Sequence, residues 1–177
     1  LVIEDCEVKD LDKNHSFDFL KSYKHTFADS INIINTSMKN VTGAVITMDM
    51  EVEDLGIYNV ENIKIINSSF TDVRHEIINA YRGGTDESTF GPIITLQDVE
   101  ISNSGKGKRN KVGAVLRFHG VQKLLVDNVK IRESNGIDLF MTNGEPITKL
   151  SNITFINSEG LKTNDQPYEA VNIVSNQ

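Results

Sequence analysis

The chain has 177 residues, of which 38% are hydrophobic, and it carries a formal net charge of −7. This length and apolar content suit one domain with a continuous core. The acidic balance argues against a nucleic-acid partner, which requires a basic face, but it allows a polyanionic sugar bound in a local basic cleft. No apolar run approaches the about 18 residues of a membrane helix, and Cys6, the only cysteine, excludes an internal disulfide.

The sequence opens on Leu1-Val2-Ile3, without an initiator Met and inside a strand-like pattern. We therefore expect residues 1–177 to form one domain that is a piece of a longer polypeptide. No signal peptide is recognisable in the segment.

A six-residue pattern recurs along the chain: a polar anchor, an apolar residue, any residue, an apolar residue, any residue, and a second polar position. Its copies begin, in chain order, at Asp5, Ser30, Asn62, Asp98, Asn128 and Asn152, and Val171-Asn172-Ile173 is typical of the strand of a seventh. Apolar and polar residues alternate within each copy and β-branched residues are frequent, which indicates strands and not helices.

Short strands at a near-fixed period, punctuated by Asn, Asp, Ser and Gly, predict an all-β solenoid. The expected fold is a single-stranded right-handed parallel β-helix of the pectin-lyase-like type, with about six to seven coils. The Asn and Asp positions are expected at corners, because these residues tolerate left-handed backbone and bond neighbouring backbone groups. Calcium binding by some of them is the alternative.

Two polar insertions are candidate binding loops, since insertions in a solenoid emerge on one face. The first, Tyr81 to Pro92, combines Arg82 with Asp86 and Glu87, which suit a site for a sugar or for calcium. The alternative is a loop in which Arg82 forms charge-assisted bonds to those two carboxylates.

The second insertion, Ser104 to Lys111, places four cations within six positions of an otherwise acidic chain. Lys108 and Arg109 lie at its centre, and such a patch could attract a uronate polymer through its local potential. A solvated surface loop is the alternative. With Arg82, Asp86 and Glu87, these two residues complete the predicted substrate-binding set.

In Leu116-Arg117-Phe118-His119, strand alternation places Arg117 and His119 on one face and the two apolar residues on the other. A cation beside a His could serve proton abstraction from a uronate, so Arg117 and His119, together with Arg82, are the catalytic candidates. A packed or capping His is the alternative. The other histidines show no metal-ligand spacing, and the metal ligands, if any, are not assigned.

The runs YRGGTDESTFGP (Tyr81 to Pro92), Gly107-Lys108-Arg109-Asn110 and His119-Gly120-Val121-Gln122 resemble the C-terminal β-helix region of two-domain alginate lyases of polysaccharide lyase family 6, a family that also contains chondroitinase B. The similarity spans about Asn59 to Ser158. It implies a parent enzyme that cleaves alginate by β-elimination with a Lys base, an Arg acid and calcium, all in the N-terminal β-helix. No residue here matches that catalytic set.

The resemblance implies an accessory, mostly non-catalytic module that extends the solenoid, lines a substrate groove or supports a homodimer. It implies as partners an acidic polysaccharide and an N-terminal catalytic β-helix, calcium in the parent enzyme, and a secreted or periplasmic location. One alternative is a self-contained lyase site in these coils, using Arg82, Arg117 and His119 with Asp86 or Glu87. Another is a non-enzymatic β-helix that binds glycans or acts as an adhesin.

Overall fold

A computed structural model of the protein describes residues 1–11, 20–21, 28–50, 60–82, 92–141, 147–164 and 168–176. Within these ranges all regular elements are strands, and they form two sheets in which every strand pair is parallel. The described part of the chain contains no helix with the length and apolar character needed to cross a membrane.

The strands of the first sheet are β1 (Val2–Glu4), β2 (Glu7–Leu11), β4 (Ala28–Ile34), β5 (Ser37–Val41), β7 (Val60–Val73), β9 (Ile93–Ser102), β11 (Lys123–Arg132), β13 (Ile147–Ile156) and β15 (Glu169–Asn176). The strands of the second sheet are β3 (Leu20–Lys21), β6 (Ile46–Met50), β8 (Ile78–Arg82), β10 (Ala114–His119), β12 (Gly136–Phe140) and β14 (Leu161–Thr163).

Strands of successive coils are neighbours, in the order β1-β4-β7-β9-β11-β13-β15 in the first sheet and β3-β6-β8-β10-β12-β14 in the second. The chain therefore winds through seven coils, counted on the first sheet. This arrangement is a parallel β-helix, and it confirms the fold class predicted from the repeat.

The core is built of columns in which equivalent residues of successive coils stack directly. One such column, fully buried, contains Ile33, Ile65, Leu96, Val126 and Leu150. A single coil is too thin to enclose these side chains, so their burial depends on the coils before and after it. The apolar positions of the repeat thus face inward, as the alternation predicts.

The corners are two ladders of residues with positive φ, and together they account for every positive-φ residue other than glycine among those described. The first ladder is Asp5, Asn35, Asn67, Asp98, Asn128, Asn152 and Asn172; the second is Asp10, Asn40, Asp72, Asn103, Glu133 and Asn157. Side-chain amides link many neighbours in these ladders, as in the bond that Asn67 Nδ2 donates to Asn35 Oδ1 at 2.8 Å.

The corners correct the predicted alignment of two copies of the repeat. Ser30 and Asn62, taken as anchors from the sequence, do not have positive φ; the first-ladder residues of those coils are Asn35 and Asn67. The apolar alternation continues on both sides of each corner, so either flank satisfies the six-residue pattern. Measured between successive residues of the first ladder, the coil spacings are 30, 32, 31, 30, 24 and 20 residues. The first four of these are more even than the spacings between the anchors taken from the sequence.

This correction predicts opposite responses to glycine at Asn67 and Asn62. At Asn67 we expect Gly to be more stable than Ala by about 1 kcal/mol, because both lose the amide bond but only Gly adopts positive φ freely. At Asn62 we expect Ala to be more stable than Gly by roughly 0.5–1 kcal/mol, because Gly weakens an ordinary strand. Urea unfolding of the four variants measures both differences, and the same order at both positions would contradict the assignment.

Candidate functional site

A polar column crosses the outward face of the second sheet, where strand register aligns Thr47, Asn79, Arg117 and Asp138 on successive coils. Thr47 and Asn79 are almost fully buried, and Asn79 Nδ2 donates to Thr47 Oγ1 at 3.2 Å. Arg117 Nη1 then reaches Asn79 Oδ1 at 3.5 Å. The column therefore links Arg117 to the buried Asn79 and Thr47 through hydrogen bonds, and the strand register places Asp138 beside Arg117.

A second column, two residues further along each strand, is aromatic and consists of Tyr81, His119 and Phe140. The His119 ring lies 5.6 Å from the Tyr81 ring and 5.4 Å from the Phe140 ring, with tilted planes in both pairs. Phe140 is 48% exposed. The two columns together give a surface with a charged side and an aromatic side.

The guanidinium of Arg117 is held in place but has few hydrogen bonds. Its Cζ lies 4.0 Å from the centroid of the Tyr81 ring, a cation–π contact that fixes the guanidinium on the sheet. Its Nε is 4.0 Å from Asp138 Oδ2, too far for a hydrogen bond, and this buried Nε has no hydrogen-bond partner within the described ranges. The described residues thus leave most of the Arg117 donors unfilled, although the side chain is partly buried.

His119 and Asp138 form a close pair, with His119 Nε2 2.9 Å from Asp138 Oδ2. Burial lowers the pKa of His119 below its ordinary value, and the charge of Arg117 lowers it further, whereas the Asp138 carboxylate opposes both effects. The neutral imidazole is therefore favoured near pH 7, and we assign its proton to Nε2, which donates to the carboxylate. Nδ1 is then an acceptor or a base.

Of the sequence candidates, the structure brings together Arg117 and His119, on the face opposite the buried Leu116 and Phe118, as alternation predicts. Whether these residues act on a substrate stays a prediction. The sequence analysis did not identify Asn79, Asp138 and Phe140 as their neighbours.

Lys108 and Arg109 lie exposed at the tip of an ordered loop between the Asn103 corner and β10. Asn110 organises this loop, since its Nδ2 donates to the carbonyls of Gly105 and Ala114 and its Oδ1 accepts from two backbone N–H groups. The cations are thus presented to solvent, and a substrate-binding role for them stays a prediction.

Arg82 is the last residue of β8, while Asp86 and Glu87 lie outside the described residues. The predicted interaction of these three residues with a sugar or calcium therefore stays a prediction. Within the described ranges, no group of three or more His, Cys, Asp and Glu side chains is arranged to hold a metal ion. Calcium in the parent enzyme likewise stays a prediction.

A groove also runs along the first corner ladder. Its described lining is rich in acceptors and contains one cation, Lys130, beside four carboxylates, those of Asp5, Glu7, Asp98 and Glu100. Such a lining repels an anionic sugar. The outward face of the second sheet around Arg117 is therefore the better candidate for binding an anionic sugar.

Comparison with solved structures finds PL6 family alginate lyase AlyGC, at 34% sequence identity and a TM-score of 0.85, over 98% of this chain and 24% of that one. An arginine-to-alanine mutant of AlyGC matches at 34% identity and a TM-score of 0.80, over 93% of this chain and 24% of that one. The chain spans about a quarter of the length of these structures. No family model and no curated protein matches it.

The parallel coils and the similarity to AlyGC together identify the fold as a polysaccharide-lyase-like β-helix. More particularly, almost the whole chain is similar to part of a PL6 family alginate lyase, as its sequence resemblance implies.

The His119 environment predicts opposite pKa shifts in two variants. Asp138→Asn removes the carboxylate that raises the His119 pKa, so we expect a pKa below that of the unaltered chain. Arg117→Gln removes the cation that lowers it, so we expect a higher pKa. Titration of the His119 ring by NMR measures both shifts, with Glu100→Gln, on the other sheet, as the control that should leave it unchanged. Shifts of the same sign in both variants would contradict this account.

Proposed function

We propose that this β-helix is an accessory module of a polysaccharide lyase whose substrate is alginate or a related uronate polymer. The observation that supports this is the likeness of almost the whole chain to one quarter of AlyGC, a PL6 family alginate lyase. The module would extend a solenoid that carries its catalytic residues in other coils, and would present part of its surface to the polymer.

The outermost coils support a role as part of a longer assembly. Leu1 and Val2 in the first coil, and Val171 and Val174 in the last, are large apolar side chains that are all at least 45% exposed. Among the strands that the structure describes, β1 and β15 each have one edge without a neighbour. Such edges favour pairing with further chain, either coils of an N-terminal catalytic β-helix or a second copy in a homodimer.

An acidic polysaccharide as partner implies export, because such polymers are extracellular. A secreted or periplasmic location is therefore part of the proposal, as is calcium in the catalytic part of the parent enzyme.

The accessory role predicts binding without cleavage. The purified chain should be retarded more strongly during electrophoresis in a gel containing alginate than in one containing neutral mannan. Incubated with alginate, chondroitin sulfate or polygalacturonate, with and without calcium, it should give no rise in the ultraviolet absorbance of unsaturated uronates. Circular dichroism checks that the chain is folded. Equal mobility in both gels would contradict contact with a uronate polymer, and rising absorbance would contradict the non-catalytic role.

The second candidate function is a self-contained lyase site, favoured by the His119–Asp138 pair beside Arg117. Arg117 would hold the uronate carboxylate, and His119 Nδ1 would take the proton from the carbon next to it. The electron pair of that C–H bond would form the new double bond as the bond to the glycosidic oxygen breaks. The hydroxyl of Tyr81, whose ring contacts His119 and Arg117, would protonate the leaving oxygen.

This alternative makes the opposite prediction in the same absorbance assay. The unaltered chain would generate unsaturated product, and alanine at His119 or at Arg117 would abolish it, while circular dichroism would show that each variant stays folded. A flat trace from the folded chain would exclude this candidate.

A further inference from the structure

The guanidinium of Arg117 has more donors than the described residues fill. An Arg side chain carries five N–H donors, and the described contacts comprise one hydrogen bond at 3.5 Å, one cation–π contact and one carboxylate at 4.0 Å. Its side chain is only 17% exposed, so water cannot surround it freely. A partly buried guanidinium with unfilled donors favours an anionic ligand, ideally a planar carboxylate that accepts two parallel bonds.

Phe140 supplies the second element of a site. It is the one aromatic residue among the large apolar side chains exposed on the described residues, and it stands beside the His119 ring on the face that carries Arg117. An exposed aromatic ring gains stability by burying its apolar face. The C–H face of a pyranose ring is a suitable partner, because it is flat and apolar while its hydroxyl groups stay in the plane around it.

Asp138 and His119 lie between these two elements and supply polar groups. Asp138 is 27% exposed and accepts from His119 through one oxygen, so it keeps lone pairs for a sugar hydroxyl. His119 Nδ1 adds an acceptor when the ring is neutral. A hexuronate has an apolar ring face, hydroxyl groups and a carboxylate. The aromatic ring, the Asp138 carboxylate and the Arg117 cation complement these three features in turn.

The spacing of the elements also suits one sugar. Arg117 and Phe140 occupy neighbouring coils and positions two residues apart along the strand. With about 4.8 Å between strands and about 3.3 Å per residue, their backbones are roughly 8 Å apart on the diagonal. A pyranose ring with its carboxylate fits this separation.

We infer that the face formed by Arg117, Asp138, His119 and Phe140 is a binding subsite for one hexuronate residue of an acidic polysaccharide. Arg117 binds the carboxylate, Phe140 stacks against the pyranose ring, and Asp138 accepts from a ring hydroxyl. This inference rests on the proposed function for its choice of polymer, and it adds the place on the module where the polymer makes contact.

Calorimetric titration of the 177-residue chain tests the subsite with two probes, tetramannuronate and β-1,4-mannotetraose, which differ only in the sugar carboxylates. We expect Arg117→Lys to weaken tetramannuronate binding about tenfold or more, because Lys keeps the charge but cannot donate two parallel hydrogen bonds to one carboxylate. Mannotetraose binding should not change. Phe140→Ala should weaken both probes by roughly threefold to tenfold, as loss of a stacking surface does.

Matched controls are Arg132→Lys and Ile147→Ala, which alter an exposed cation and an exposed apolar residue on the first sheet. Both should bind like the unaltered chain. Melting curves identify any variant that does not fold. Independently of variants, tetramannuronate should shift the His119 ring NMR signal saturably and leave that of His75 in place.

Each outcome separates this inference from the proposed function. Tetramannuronate binding that neither variant weakens, with an unmoved His119 signal, would overturn the subsite and leave the accessory role standing. Absence of any tetramannuronate binding by the folded chain would overturn the subsite, and gel retardation in alginate would then decide the proposed function separately. Equal loss in the variants and their controls would also overturn it.

Discussion

The corner conformation is the constraint on which the structure depends. Each coil of a parallel β-helix must bend at the same place as the coil beneath it, or the apolar columns lose their alignment. Left-handed backbone provides that sharp bend, and Asn and Asp are the side-chain-bearing residues that adopt it at least cost. Thirteen described corners obey this rule with Asn, Asp or, once, Glu133. The alignment of the core, and of the outward columns that form the candidate site, follows from it.

Much of the fold could be predicted because the same sequence pattern recurs in successive coils. Inward apolar positions and corner residues recur in every coil, so an error in one copy does not hide the period. The misplaced anchors at Ser30 and Asn62 show the limit of this signal, since alternation alone does not distinguish the strand before a corner from the strand after it. The left-handed conformation at Asn35 and Asn67 makes that distinction.

The candidate site could be predicted only in part for a different reason. Arg117 and His119 belong to one strand, so their common face follows from alternation. Asn79, Asp138 and Phe140 come from other coils, and their position depends on the lengths of the intervening turns. Aligning the strands of the second sheet by their buried residues, such as Ile78, Leu116 and Ile137, is the sequence signal that would have found them.

The ladders also have a direction. In the amide–side-chain bonds from Asn35, Asn67, Asn103 and Asn128, the donor belongs to the later coil and the acceptor to the earlier one. A carboxylate can accept from the coil after it but has no proton for the coil before it. Asp5, Asp10, Asp72 and Asp98 therefore each open a run of bonded side chains. The runs from Asp5, Asp10 and Asp72 close where the next coil brings a carboxylate, at Asp98, Asp72 and Glu133. The run from Asp98 closes at Asn152, whose amide donates to Asp127. The choice between Asn and Asp at a corner therefore decides whether the side-chain ladder continues to the earlier coil or is interrupted there.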